Sequence, residues 1–176
     1  MDGVSEPKLL LDSNESAHTF HLKPSHLNML SKADLIITIG DRFETGLSKG
    51  LRHIDEKSLL AVNEINNLRI YNSRNQDGIS ETEEHKDLHL WLEVDNVQII
   101  AQHISELLIE LDPGNTNNYK ANFSELESKL NQLNEVLQLR LEPLKSVTFA
   151  VFSDKLQYLE KKFKMQRPVI ITPYHG

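Results

Sequence analysis

AHTFHLKPSHLNMLSKADLIITIGDRFE, residues 17–44, reads as one β/α unit with imidazole side chains at its entrance. Lys23-Pro24-Ser25 marks a turn, and Ser25 is expected to cap the helix that follows. Leu27, Leu30 and Ala33 then share one helical face, with Met29 beside it. The run 35–39, LIITI, is apolar and β-branched, as in strands covered on both faces. Gly40 ends that strand, where a strand-to-loop turn favours glycine. His18 and His21 lie at the opening of the unit.

Working outward, the chain has 176 residues, enough for a domain with a real core. Hydrophobic residues make up 39% and charged residues 26%, as in soluble globular proteins. A formal net charge of -7 with no basic block argues against nucleic-acid binding. There is no cysteine, so disulfides, thiolate zinc sites and thiol chemistry are excluded. A transition-metal site here must use His, Asp, Glu or water, a donor set that suits zinc or manganese. The opening MDGVSEPKLLLDS has neither the cationic nor the apolar region of a signal peptide. No run reaches the roughly 20 apolar residues of a membrane span. As written, this start places the chain in the cytoplasm.

KLLL (8–11) reads as a short strand and 43–51 as a short helix, with His53 just beyond. SLLAV (58–62) and LRIY (68–71) are two further strands. The segment 72–86 is polar and acidic and reads as an exposed loop. LHLWLEVDN follows at 88–96; Trp91 is expected in the core and Asp95 at a helix N-cap. Val97, Ile100, Ala101, Ile104, Leu107, Leu108 and Leu111 form one apolar helical face, which Asp112-Pro113-Gly114 stops. From 116 to 144 a stripe of Tyr119, Phe123, Leu126, Leu130, Leu133, Leu137, Leu141 and Leu144 predicts a helix of roughly 40 Å. VTFAVF (147–152) is a strand, 154–163 a helix and 169–172 a last strand.

HTF, KPS, ADLIITIG and HLWLEVDN together resemble the zinc and manganese receptors of ABC importers, the solute-binding proteins that hand metal to an inner-membrane permease. The resemblance covers about 8–164. It implies an α/β fold: a β/α sandwich lobe over 1–114, a long backbone helix over 115–145 and a partial second lobe over 146–176. It implies a chain truncated at both ends, a periplasmic location and no catalysis. By the same resemblance, His18 and His89 take the first two metal-ligand positions, with zinc as the metal and manganese as the second choice. Glu93-Val94 stands where the family motif has Asp-Pro, a modest departure. At the third ligand position, Phe152-Ser153-Asp154 offers a serine, a poor zinc ligand. His21, His85 and Asp154 are the auxiliary candidates; Asp154 is otherwise expected to cap the next helix. The acidic, histidine-rich loop of the zinc branch is represented only by Glu81, Glu83, Glu84 and His85.

His26, His53 and His103 read as surface residues beside helices, and His175 as a terminal one. No Ser-His-Asp set, phosphate-binding glycine loop or catalytic carboxylate pair stands out. Two alternatives compete with the receptor. One is a remnant without transport function, self-associating or binding a partner through the leucine stripe of its long helix. The other is a small α/β enzyme using the loop after Gly40, where IGDRF also resembles a strand-loop of thiamine-diphosphate enzymes.

Overall fold

The computed structural model describes residues 1–11, 20–51, 58–74 and 86–171. In chain order these form α1 (Pro24–Leu30), β1 (Ile36–Thr38), α2 (Ser48–Leu51), β2 (Leu59–Ala61), α3 (Val94–Leu111), α4 (Thr116–Leu141), β3 (Ala150–Val151), α5 (Gln157–Phe163) and β4 (Val169–Ile170). The architecture is mixed α/β. β1 pairs in parallel with β2, Ile36 opposite Leu59, and β3 pairs in parallel with β4, Ala150 opposite Val169. Parallel pairs need long crossovers, which explains why α2 lies between one pair and α5 between the other.

Pro24 occupies the first turn of α1, where its missing N–H is no loss. Lys23 is the N-cap residue, and its N–H is accepted by Nδ1 of His26 at 3.1 Å. Ser25 is therefore inside the helix instead of capping it. β1 buries Ile36 and Thr38 but leaves Ile37 47% exposed, so the strand is covered on one face, not two. At its end Gly40 has φ +150, and a Cβ there would lie 2.5 Å from Oδ1 of Asn63, so glycine is required.

α3 and α4 form an antiparallel hairpin. Gln98 reaches Asn131 at 2.7 Å, and the Ser105 hydroxyl donates to the Tyr119 carbonyl at 3.4 Å. α4 has 26 residues and is continued by a 3₁₀ turn at Glu142–Leu144. Tyr119 and Leu130 of its stripe are buried, whereas Leu126, Leu133 and Leu144 are exposed. The central core joins Val62, Leu90 and Tyr158, all nearly inaccessible, with Ile39, Ile70, Leu92 and Ile100 packed around them. Burying side chains of this size contributes about 1.5–3 kcal/mol each. Tyr158 comes from beyond the long helix, so the core is closed by a distant part of the chain.

Three expected strands differ. KLLL forms none: Leu9 is 79% exposed, and no described strand runs beside it. LRIY forms none either, because its backbone is satisfied elsewhere. The Arg69 N–H donates to Oδ1 of Asn96 and its carbonyl accepts from Nδ2, both at 2.9 Å. VTFAVF keeps only the two residues of β3. Helix starts also shift. α3 is capped at Glu93, placing Asp95 in the first turn, and α5 is capped at Leu156, so Asp154 does not cap it. Trp91 is 43% exposed and is not a core residue. Of the loop 72–86, only its ends are described, joined by a bridge between Asn72 and Lys86.

Candidate metal centre

His89 precedes a 3₁₀ turn, Leu90–Leu92, whose first side chain, Leu90, is wholly buried. Burial of Leu90 fixes the backbone and leaves the His89 ring near the surface, 12% exposed. Its Nδ1 lies 2.7 Å from Oδ1 of Asp87, and the same oxygen accepts the His89 backbone N–H at 3.0 Å. A carboxylate at Nδ1 selects the tautomer with the proton there and leaves the Nε2 lone pair for a cation. Asp87 is itself buried. Its N–H donates to the Tyr71 carbonyl at 2.9 Å, and its carbonyl accepts from the Tyr158 hydroxyl at 2.5 Å.

Two aromatic rings frame the imidazole. Phe43 meets it edge-on at 5.7 Å, Trp91 lies tilted at 5.5 Å, and the two aromatics meet each other edge-on at 5.4 Å. Trp91 thus serves the surroundings of His89, which the apolar pattern of HLWL alone did not distinguish from core packing. Phe43 belongs to a turn held by Glu44. That buried carboxylate accepts the N–H groups of Ile39 and Gly40, both at 2.9 Å. The turn then runs against Phe20: a Cβ on Gly46 would lie 1.7 Å from the Phe20 carbonyl oxygen. Backbone contact at Gly46 therefore brings Phe20 to the turn whose Phe43 meets the His89 ring. Phe20 is buried and stacks on His26 at 5.0 Å.

The other candidates are placed differently. His18 and His85 lie outside the described residues, as do His53, His175, Glu81, Glu83 and Glu84. His21 is exposed just before α1, and His103 is half-buried on α3. Asp154 is buried, and both its oxygens are engaged by Arg74, one of them at 3.1 Å from Nε. Ser153 is half-buried, its carbonyl accepting from the Lys155 N–H at 3.0 Å. Among the described residues no group of three or more His, Asp or Glu side chains forms a metal cluster.

Sequence reading missed a buried polar network behind His89. Arg74, 9% exposed, binds Asp154 and also Glu160, the latter at 2.6 Å. Burial opposes its charge, but hydrogen bonds to Glu160 and Asp154 outweigh burial and hold its pKa above the ordinary value. Gln157 donates to the Asn72 carbonyl at 2.9 Å, and Lys161 sits 3.9 Å over the Tyr71 ring. Glu93, also buried, pairs with Arg69, while Lys162 bridges to Asp95 at 2.5 Å. Arg74 and its carboxylates are about 80 residues apart in the chain, so no local pattern announces them.

Comparison with known proteins identifies the family. The family model described as zinc-uptake complex component A, periplasmic, matches residues 1–175. The high-affinity zinc uptake system protein ZnuA of Brucella abortus is 29% identical over 98% of this chain and 62% of its own. The metal ABC transporter substrate-binding lipoprotein FimA of Streptococcus parasanguinis is 30% identical over 67% of this chain and 38% of its own. The crystal structure of a zinc-bound ZnuA deletion mutant superposes with a TM-score of 0.78 at 27% identity, covering 93% of this chain and 60% of that one. The chain thus spans less than two thirds of the length of each of these relatives. A periplasmic family gives no support to a cytoplasmic location. Among the described residues no helix is long and apolar enough to cross a membrane. The chain belongs to the family of the periplasmic zinc-uptake component A.

Proposed function

We propose that this chain binds zinc as the solute-binding component of an ABC importer, with His89 as a metal ligand and His18 as its partner. The observation that carries this reading is the pairing of His89 Nδ1 with buried Asp87, which leaves the Nε2 lone pair to serve as a metal donor. The Phe20–Gly46 contact supports His18 as the second ligand, since Phe20, two residues on in the chain, is held against the Phe43 turn. His21, His85 and Asp154 stay auxiliary, with Asp154 already committed to Arg74. The chain divides into a first lobe over 1–114, the linking helix region 115–145 and the start of a second lobe over 146–176. The relatives named for zinc uptake and metal ABC transport support a periplasmic location, a membrane permease as partner and no catalysis. Nothing in the -7 charge favours nucleic acid. Calorimetric titration with zinc, and separately with manganese, tests the reading. One-to-one binding lost in the His18→Ala/His89→Ala double variant is expected. Binding insensitive to both substitutions would refute it.

A second reading is favoured by α4, where Leu133, Val136 and Leu139 are 46%, 43% and 77% exposed. Exposed apolar side chains in a row favour association, here with a second copy of the chain. Light scattering with and without zinc decides it: a metal-independent dimer is expected, and a monomer at high protein concentration ends this reading.

A further inference from the structure

The buried contacts of α5 do more than complete the core. Tyr158, fully buried, has its ring 4.9 Å from that of Tyr71. Its hydroxyl accepts the Tyr71 N–H at 3.4 Å and donates to the Asp87 carbonyl at 2.5 Å. The Asp87 N–H is meanwhile held by the Tyr71 carbonyl at 2.9 Å. Both peptide groups flanking the Asp87 α-carbon are therefore fixed, one of them by a side chain from beyond the long helix. The Asp87 carboxylate in turn holds the His89 ring and its backbone N–H. Burial pushes the Tyr158 hydroxyl far above the ordinary phenol value, so at neutral pH it remains a donor. α5 is pinned independently by Arg74 through Glu160, by Gln157 through Asn72 and by Lys161 over Tyr71.

From this geometry we infer that Tyr158 is a positioning residue for the metal site: its hydroxyl, acting through the backbone of Asp87, sets the orientation of the His89 imidazole. The segment after the long helix thus prepares a ligand carried by the segment before it. Part of this inference rests on His89 being a zinc ligand, but the orientation of the ring is testable without metal. Tyr158→Phe keeps the ring contact with Tyr71 and removes only the hydroxyl. It leaves the Asp87 carbonyl, a buried acceptor, without its donor.

The experiment uses the full chain without metal, with ¹⁵N-labelled histidine, and reads the His89 Nδ1–H signal and its solvent exchange by NMR. Tyr158→Phe is expected to speed that exchange about tenfold, the equivalent of losing one buried hydrogen bond. Leu130→Ala, which removes a buried side chain of α4, is expected to lower stability and leave the signal unchanged. The inference is overturned if Tyr158→Phe leaves the signal and its exchange as in the parent, or if Leu130→Ala moves them as much. Amide exchange in the unaltered protein keeps the matter decidable even if Tyr158→Phe does not fold. The Asp87 and His89 amides are expected to open together with the Glu160 amide of α5; opening independently of α5 would equally overturn the inference. A zinc titration then separates the two readings. An altered His89 signal with no zinc binding by the parent would sink the receptor reading alone. With zinc bound, Tyr158→Phe is expected to weaken binding about tenfold.

Discussion

Nδ1 of His89 lies 2.7 Å from Oδ1 of Asp87, a carboxylate that is itself 7% exposed. Such a pair fixes the tautomer and the orientation of the ring. Asp87→Asn is expected to weaken zinc binding by about 10–100-fold, with the fold retained, because the amide accepts a hydrogen bond without the charge. Competition against a chromophoric chelator measures this. Unchanged affinity, alongside loss of binding in His89→Ala, would show that orientation by Asp87 is immaterial.

Arg74 pairs with two buried carboxylates, Asp154 and Glu160. Removing one member of a buried ion group strands the remaining charges, at a cost of about 3–5 kcal/mol. Arg74→Ala is therefore expected to lose that much stability in urea denaturation. Adding Asp154→Asn and Glu160→Gln to the same chain should restore a large part of it. A loss under about 1 kcal/mol, the range of surface ion pairs, would mean that the network is solvated in solution.

Glu93 sets a pH dependence. Burial raises its pKa, against the attraction of Arg69 and Lys162, while the neighbouring Asp95 adds to the rise. The folded chain thus binds this proton more tightly than the unfolded chain does. Its stabilising effect is complete below the ordinary carboxylate range and is lost as pH rises through the higher folded value. The stability of the parent relative to Glu93→Gln should therefore fall with rising pH across that window. Urea midpoints for both proteins at a series of pH values test this, and a constant difference would refute it.

Gly46 and Gly114 should respond very differently to alanine. A Cβ on Gly46 would collide with the Phe20 backbone oxygen at 1.7 Å, whereas the nearest atom to one on Gly114 is 3.6 Å away. Gly46→Ala is expected to lose more than about 3 kcal/mol, and Gly114→Ala to change stability by less than about 0.5 kcal/mol. Thermal melts compare them directly. Equal effects would mean that the Phe20–Gly46 approach is not needed for folding.

The sequence alone determined the long-range plan where local chemistry is strong. Apolar periods marked α3 and α4, Asp112-Pro113-Gly114 marked the break between them, and LIITI and SLLAV marked β1 and β2. The motifs around His18 and His89 pointed to the metal-receptor family, to which the chain belongs. Tertiary structure decided the rest, because the partners are far apart in sequence. Whether LRIY became a strand depended on the side chain of Asn96 taking its hydrogen bonds. Whether Trp91 was core or surface depended on Phe43 arriving beside it, and the role of Asp154 on Arg74 reaching it. A hydroxyl on Tyr158 carries no sequence mark of its target. Only folding places it on the Asp87 carbonyl, because a hydrogen bond depends on position in space and not on separation along the chain.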